Sequence, residues 1–412
     1  MLAVTVLLAP LAAACGGSSG SGSTPTLNWY IGKQSGGWIE NAISTCNQAA
    51  GGKYTIKFQD LPARATDQRE QLVRRLAAND KSIDIVGMDV IWTAEFANAG
   101  WIQPFPESLR GQLSDGVLKG PLESGTYKGK LFGAPFTSNT QLLWYRKDLQ
   151  PTPAATWQEM VDQAVAKKMK VAVQGVRAES LTVTFNALLA SAGGKFLEDP
   201  SADKPQISLE QQPTATAAKL LKALASSPAA DPELSQATED SSRQGFEKGD
   251  SLYELNYPFI YPSAAKSVSK EFQDKIGWAR FPRAVANLPS RPPLGGFNLG
   301  ISAYTAHPQQ AFAAAACIRG EKNQLFAAQK GGNPPTIDAL YTSPELRSKY
   351  PFADTLRESI NDAAPRPVSP AYNDLSLAVQ DTLHPLAAIN PDAAATDLRD
   401  LAKKALKSEA VL

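Results

Sequence analysis

The residues best suited to chemistry in this chain are carboxylates, amides and aromatics placed where strand patterns end. Ser35-Gly36-Gly37 and the stretch from Asp89 to Trp92 each follow such a pattern, and in open α/β sheets ligands sit outside the carboxyl ends of the strands. Acids and amides there exchange hydrogen bonds with hydroxyls, and aromatic rings pack on the apolar C–H face of a sugar. Seven Trp and eleven Tyr supply the rings, although core packing is the ordinary fate of any one Trp. Glu254 with Asp89 could alternatively form the two-carboxylate pair of a glycoside hydrolase. Most other signatures exclude chemistry. His307 and His384 are the only histidines, and neither has a metal-ligand spacing, so surface or capping roles and no metal site are expected. Gly16-Gly17-Ser18-Ser19-Gly20 matches a serine-nucleophile pattern but lies in a Gly/Ser run instead of a strand-to-helix elbow. The glycines of Gly32-Lys33-Gln34-Ser35-Gly36-Gly37 have the wrong spacing for a dinucleotide loop, and no phosphate loop occurs, so no cofactor is expected.

The elements that must hold these residues follow from hydrophobic period. Leu27, Trp29 and Ile31 alternate as in a strand; Ile39, Ala42, Ile43 and Cys46 then recur at helical spacing until Gly51-Gly52. Tyr54 to Phe58 and Ile83 to Gly87 read as further strands, separated by a helix that Asp67 and Glu70 could cap. This βαβαβ order predicts a mostly parallel sheet flanked by helices. A second unit begins near Pro151-Thr152-Pro153, with a capping box at Thr156 and Glu159, a strand at Val171 to Gln174, and a helix from Ser180 to Ala192. Strand patterns return at Ile276 to Phe281 and at Leu294 to Ser302, followed by a helix from His307 to Ile318 and a helix-rich C-terminal part.

The 412 residues suggest two or three domains, and 41 Lys plus Arg against 40 Asp plus Glu leave no basic face for nucleic acid. The first residues form an apolar leader ending Pro10-Leu11-Ala12-Ala13-Ala14-Cys15, and a Gly/Ser tether follows. Together they resemble a bacterial lipoprotein signal, which implies lipidation at Cys15, export and a membrane anchor. Beyond the leader no apolar run approaches the roughly 20 residues that span a bilayer. Cys46 and Cys317 then remain as an even pair, either one disulfide or two buried thiols.

At Val86-Gly87-Met88-Asp89-Val90-Ile91-Trp92-Thr93-Ala94-Glu95-Phe96, with Gly100-Trp101-Ile102 after it, the chain resembles the extracellular sugar-binding proteins of ABC importers. Gly133-Ala134-Pro135-Phe136, Leu143-Trp144-Tyr145-Arg146-Lys147-Asp148-Leu149, Leu294-Gly295-Gly296-Phe297 and Arg366-Pro367-Val368-Ser369-Pro370-Ala371-Tyr372 agree in order and spacing. The likeness covers essentially the whole mature chain. It is greatest to the maltose/trehalose-binding branch, and within that branch to a mycobacterial trehalose-binding lipoprotein. The resemblance implies an α/β, two-lobe periplasmic-binding-protein-like fold with its ligand in the interlobe cleft. Lobe 1 would comprise 27–135 plus 281–328 and lobe 2 would comprise 136–280 plus 329–412, after a 1–15 signal and a 16–26 tether. Cys46 and Cys317 would both fall on lobe 1 helices, which favours the bridge.

The same resemblance implies a site. Asp89 stands at the family's sugar-binding acid and Arg366 at its hydroxyl-binding arginine; Asn139 takes a position often acidic. Tyr257 and Phe297, the latter after Gly296, stand where relatives often carry a stacking Trp, and Trp278 could share that role. Glu254 would accept from hydroxyls, Asn256 would bridge, and Gln68 and Arg69 are further carry-overs. The implied function is capture of a disaccharide, trehalose foremost, by a non-enzymatic monomer. That protein would deliver it to importer permease subunits with their ATPase.

Overall fold

The computed structural model describes residues 24–62 and 64–407, so Cys15 and the signal lie outside the described residues. Alternation does what the sequence predicts in β1 (Thr26–Gly32), where Leu27, Trp29 and Ile31 are fully buried. β1 is flanked in parallel by β2 (Thr55–Leu61) and β3 (Ile85–Asp89), with the helices Trp38–Ala50 and Ala65–Ala77 as the connections. The short β4 (Ile102–Gln103), a hairpin of β5 (Thr126–Tyr127) and β6 (Lys130–Leu131), and β7 (Gly133–Asn139) follow. The chain then leaves for a second sheet built from β8 (Leu142–Arg146), β9 (Lys170–Ala172), β10 (Ser251–Asn256) and β11 (Ile276–Ala279), in the order β11-β8-β10-β9.

β12 (Gly295–Ser302) returns to the first sheet, where it pairs antiparallel with β3, β4 and β7. Five of the six strands of the first sheet therefore run one way, as the mostly parallel expectation has it, and β12 alone runs against them. Parallel pairing needs a crossover that carries the chain back to the strand's starting edge. β12 instead enters straight from the second sheet, beside the carboxyl ends of β3 and β7, and so runs the other way.

Each sheet has its own core. Trp29, Trp38 and Phe136 meet edge to face or tilted under the first sheet, with centroids 5.2–6.4 Å apart. One face of the second sheet packs Leu143, Tyr253 and Leu255 against Trp157, Phe185 and Leu221, and the other packs Trp144 against Tyr261 and Phe352. Cys46 and Cys317 form a disulfide with Cα atoms 5.8 Å apart, tying helix Trp38–Ala50 to helix Pro308–Ile318.

Local signals fared unequally. The Thr156–Glu159 capping box forms, with Glu159 N–H donating to Thr156 Oγ1 at 3.2 Å. The expected Asp67–Glu70 cap does not: the helix starts at Ala65, and Asp67 in its first turn accepts two bonds from the Arg64 guanidinium instead. His307 stands at a helix N-cap without a side-chain bond, and His384 Nε2 lies 3.1 Å from the Ser235 carbonyl. Among the described residues no helix is long and apolar enough to cross a membrane, and no group of three or more His, Cys, Asp or Glu could hold a metal ion.

Candidate functional site

Asp89 ends β3, and its register partner on β12 is Phe297. Gly296 makes this junction possible. Its φ of 131° is one that L side chains rarely adopt, and a Cβ there would sit 2.2 Å from the Thr137 carbonyl oxygen. Across the gap between the sheets comes Arg366, in the segment before helix Tyr372–Leu383, which packs on helix Glu179–Ser191.

The Arg366 side chain is 3% exposed. Nη1 donates to Glu179 Oε1 at 2.5 Å, whereas Nη2 reaches Asp89 Oδ1 and the Leu294 carbonyl only at 3.3 Å. Glu179 is itself held by the Tyr372 hydroxyl on Oε1 and by Ser376 Oγ on Oε2 at 2.6 Å. Arg366 thus belongs to the second half of the molecule and touches the first lightly, with its Nε buried and unpartnered.

The electrostatics follow from this geometry. Burial pushes the Asp89 carboxyl above the usual carboxylate range; Arg366 opposes the shift and Glu179 adds to it. Burial also works against the Arg366 charge, but Tyr372, Asp89 and Glu179 outweigh it and keep the guanidinium protonated. The Tyr257 hydroxyl is raised by burial and by the charges of Glu239, Asp89 and Glu179, which places it in the same field. Glu239, at the start of helix Glu239–Lys248, is raised by burial, with Asp240 and Glu179 contributing. Acceptors, a forked donor and phenols converge here, the set that hydroxyl-rich molecules require.

The other expected residues divide. Asn139 ends β7 opposite Gly295, and the Tyr257 ring approaches the same glycine. Gln68 is buried against Gly32 at the end of β1. Arg69 is held in a two-bond fork by Glu95 at 2.6 and 2.8 Å, beside a small cavity of about 30 Å³ that Trp92, Glu179 and Tyr372 also line. Three residues are turned elsewhere. Glu254 is 0% exposed, bonded to Asn256 Nδ2 at 2.7 Å, and burial pushes its carboxyl up to about 8. Asn256 spends its amide on Glu254 and the Glu239 carbonyl, and its oxygen on Tyr257 N–H. Trp278 packs edge-on to Tyr261 and Phe352 at 6.0 and 5.8 Å. Strand alternation explains the first two: residues 254 and 256 share one face of β10, and that face is filled by Trp144 and its neighbours. The Glu254–Asp89 pair of a hydrolase is therefore not assembled.

Glu179 and Glu239 escaped the sequence reading. Their only signal was an acid in the first turn of a helix, which reads equally well as a favourable helix-dipole charge. The Ser35-Gly36 loop lines a hollow of about 950 Å³ whose far wall includes Asp240, next to Glu239, and Phe259, two residues past Tyr257.

Residues 33–325 match the family described as bacterial extracellular solute-binding protein. A probable ABC transporter-binding protein of Deinococcus radiodurans is 24% identical over 348 residues, 80% of this chain and 81% of that one. Among solved structures, a maltose-bound protein of T. maritima superposes with a TM-score of 0.82 at 23% identity, covering 92% of this chain and 99% of its own. The GacH receptor of Streptomyces glaucescens, solved free and with acarbose, gives 0.79 at 19% identity over 94% of this chain and 100% of its own. These structures share the two-lobe fold of this chain.

Proposed function

We propose that this chain, which belongs to the bacterial extracellular solute-binding protein family, is the sugar-capturing component of an ABC importer and that its ligand is a neutral disaccharide, trehalose foremost. The observation that carries the reading is the cluster of Asp89, Arg366, Glu179, Tyr372 and Tyr257, which draws hydroxyl-binding groups from both sheets to one place. A ligand seated there contacts both lobes, so it favours closure by whatever affinity difference those contacts create. The likeness to sugar-bound structures agrees with this ligand class. The hollow of about 950 Å³ lined by Ser35, Gly36, Asp240 and Phe259 has room for a disaccharide.

In this reading Asp89 and Glu179 accept from sugar hydroxyls, Arg366 donates, Asn139 bridges, and Tyr257 and Phe297 offer apolar faces. Gln68, Arg69 and Gly296 set the shape of the rim, while Glu254, Asn256 and Trp278 support from behind. No covalent step is assigned to any of them. The lobes, about 27–135 plus 281–328 and 136–280 plus 329–412, are supported by the two sheets, with the crossovers shifted by a few residues. Cys15 would carry the lipid that holds a monomeric receptor by its Gly/Ser tether near two permeases and their ATPase, raising its effective concentration there.

A thermal-shift panel of trehalose, maltose, sucrose and a linear glucan tests the reading. Trehalose at 100 times its Kd adds about 2.7 kcal/mol of stability. A shift from another sugar alone would move the substrate, and no shift from any sugar would remove the function. Free glucose released from trehalose would restore the hydrolase alternative.

A further inference from the structure

A third hollow, of about 550 Å³, shares only Arg366 with the polar cluster and no lining residue with the 950 Å³ space. Thr126 and the β5–β6 hairpin wall it on one side. Asn186 and Ala190 of helix Glu179–Ser191, with Phe196 and Leu197 beyond, wall the other, and Pro367 stands with them. Lys128 at the hairpin tip reaches Asp203 across the gap at 2.5 Å, an exposed pair that solvent screens.

The wall chemistry specifies the occupant. Four charged residues line the hollow, and each is already matched: Lys128 by Asp203, Lys195 by Glu198 at 2.5 Å, Glu123 by Lys119 at 3.8 Å, and Arg366 by Asp89 and Glu179. The polar groups are also engaged. Thr126 Oγ1 donates to the Leu122 carbonyl, Ser201 Oγ to Asp199, and Asn186 Nδ2 to the Ala364 carbonyl. Apart from the unpartnered Nε of Arg366, little hydrogen-bonding demand is left, while alanine, proline, phenylalanine and leucine carbons face the space. Hollows of about 300–1,000 Å³ with apolar walls are typical of small-molecule sites.

We propose that this hollow is a second ligand site that takes an uncharged, largely apolar group, either free or carried on a bound sugar. The inference stands on the wall chemistry and does not depend on the sugar reading.

Titrating the full chain with N-phenyl-1-naphthylamine, a neutral apolar dye, tests it. A saturable rise in fluorescence is expected, with amide exchange slowed at Thr126–Leu131 and at Phe196 and Leu197. Ala190→Trp fills the hollow from one side and Thr126→Trp from the other; each should weaken the dye at least about tenfold while circular dichroism stays unchanged. Absence of a saturable rise, unchanged exchange at those segments, or folded variants that bind like the parent would overturn the proposal. Octyl maltoside below its micellar concentration then separates the two sources. Displacement of the dye marks an apolar group borne on a sugar, and retention marks a separate molecule. A protein that binds the dye but no sugar loses the proposed function and keeps this site.

Discussion

At the scale of single residues, the two carboxylates that flank Arg366 are not equivalent. Glu179 meets it at 2.5 Å and is locked by Tyr372 and Ser376, whereas Asp89 meets it at 3.3 Å. Asp89 and Glu179 keep 23% and 25% of their side chains exposed, so solvent tempers the cost of breaking the pairs. Arg366→Ala should destabilise by about 2–3 kcal/mol, below the usual figure for a fully buried pair. Arg366→Lys should recover part of that stability and little sugar affinity, because an ammonium lacks the fork; denaturant melts with calorimetric titration of sugar check both. Glu254 makes a second prediction. Its carboxyl titrates near 8 in the folded chain against 4.5 for the free group. A raised acid lends stability that is complete below pH 4.5 and is lost as pH climbs to about 8. At about 1.4 kcal/mol per unit the loss amounts to several kcal/mol. Glu254→Gln keeps the acceptor for Asn256 and removes the titration, so its Tm should fall less than the parent's between pH 5 and 8.5. Equal slopes would show that Glu254 ionises freely.

At the scale of elements, sequence period was a good guide and ligand-facing geometry a poor one. The helix expected at Ser180 to Ala192 runs from Glu179 to Ser191, and the strand expected at Leu294 to Ser302 runs from Gly295 to Ser302; both are buried on almost every side, so length and the Gly193-Gly194 stop mark the helix more than period does. What period cannot supply is orientation. Glu254, Asn256 and Tyr257 are neighbours in sequence, yet alternation sends the first two into the core and leaves the phenol within the field of Asp89 and Glu179. Nor does it supply strand direction for β12, which depends on which sheet the chain has just left. β12 also carries a testable constraint at its first residues. Gly296→Ala puts a methyl 2.2 Å from Thr137 O at a positive φ, so the start of the strand must shift, and Phe297 and its pairing with Asp89 with it. The expected result is a drop of about 1–3 kcal/mol in stability, with sugar affinity lost more than stability alone explains. Retained affinity would separate Phe297 from the site.

At the scale of the whole molecule, two ion pairs described above cross between the halves: Arg366 with Asp89, and Lys128 with Asp203. The second is highly exposed on its acidic side, 86%, and solvent screening leaves it little strength. The first is sheltered, and it uses the residues assigned to sugar recognition. That pair links the lobes through groups that a sugar seated there would engage, so a ligand must replace it with better contacts in the closed state if it is to shift the equilibrium. A bridge worth about 1 kcal/mol biases closure about fivefold, enough to alter the average shape without fixing it. Because Arg366 is anchored to Glu179, cutting the bridge on the Asp89 side should leave the second lobe intact. Asp89→Ala should therefore have a larger radius of gyration than the parent when both are free, by small-angle scattering. Saturating sugar should contract the parent further and leave the variant nearly unchanged. If the free variant has the parent's radius, the bridge does not hold the cleft; if sugar contracts the variant as fully as the parent, Asp89 is not the first-lobe contact that drives closure.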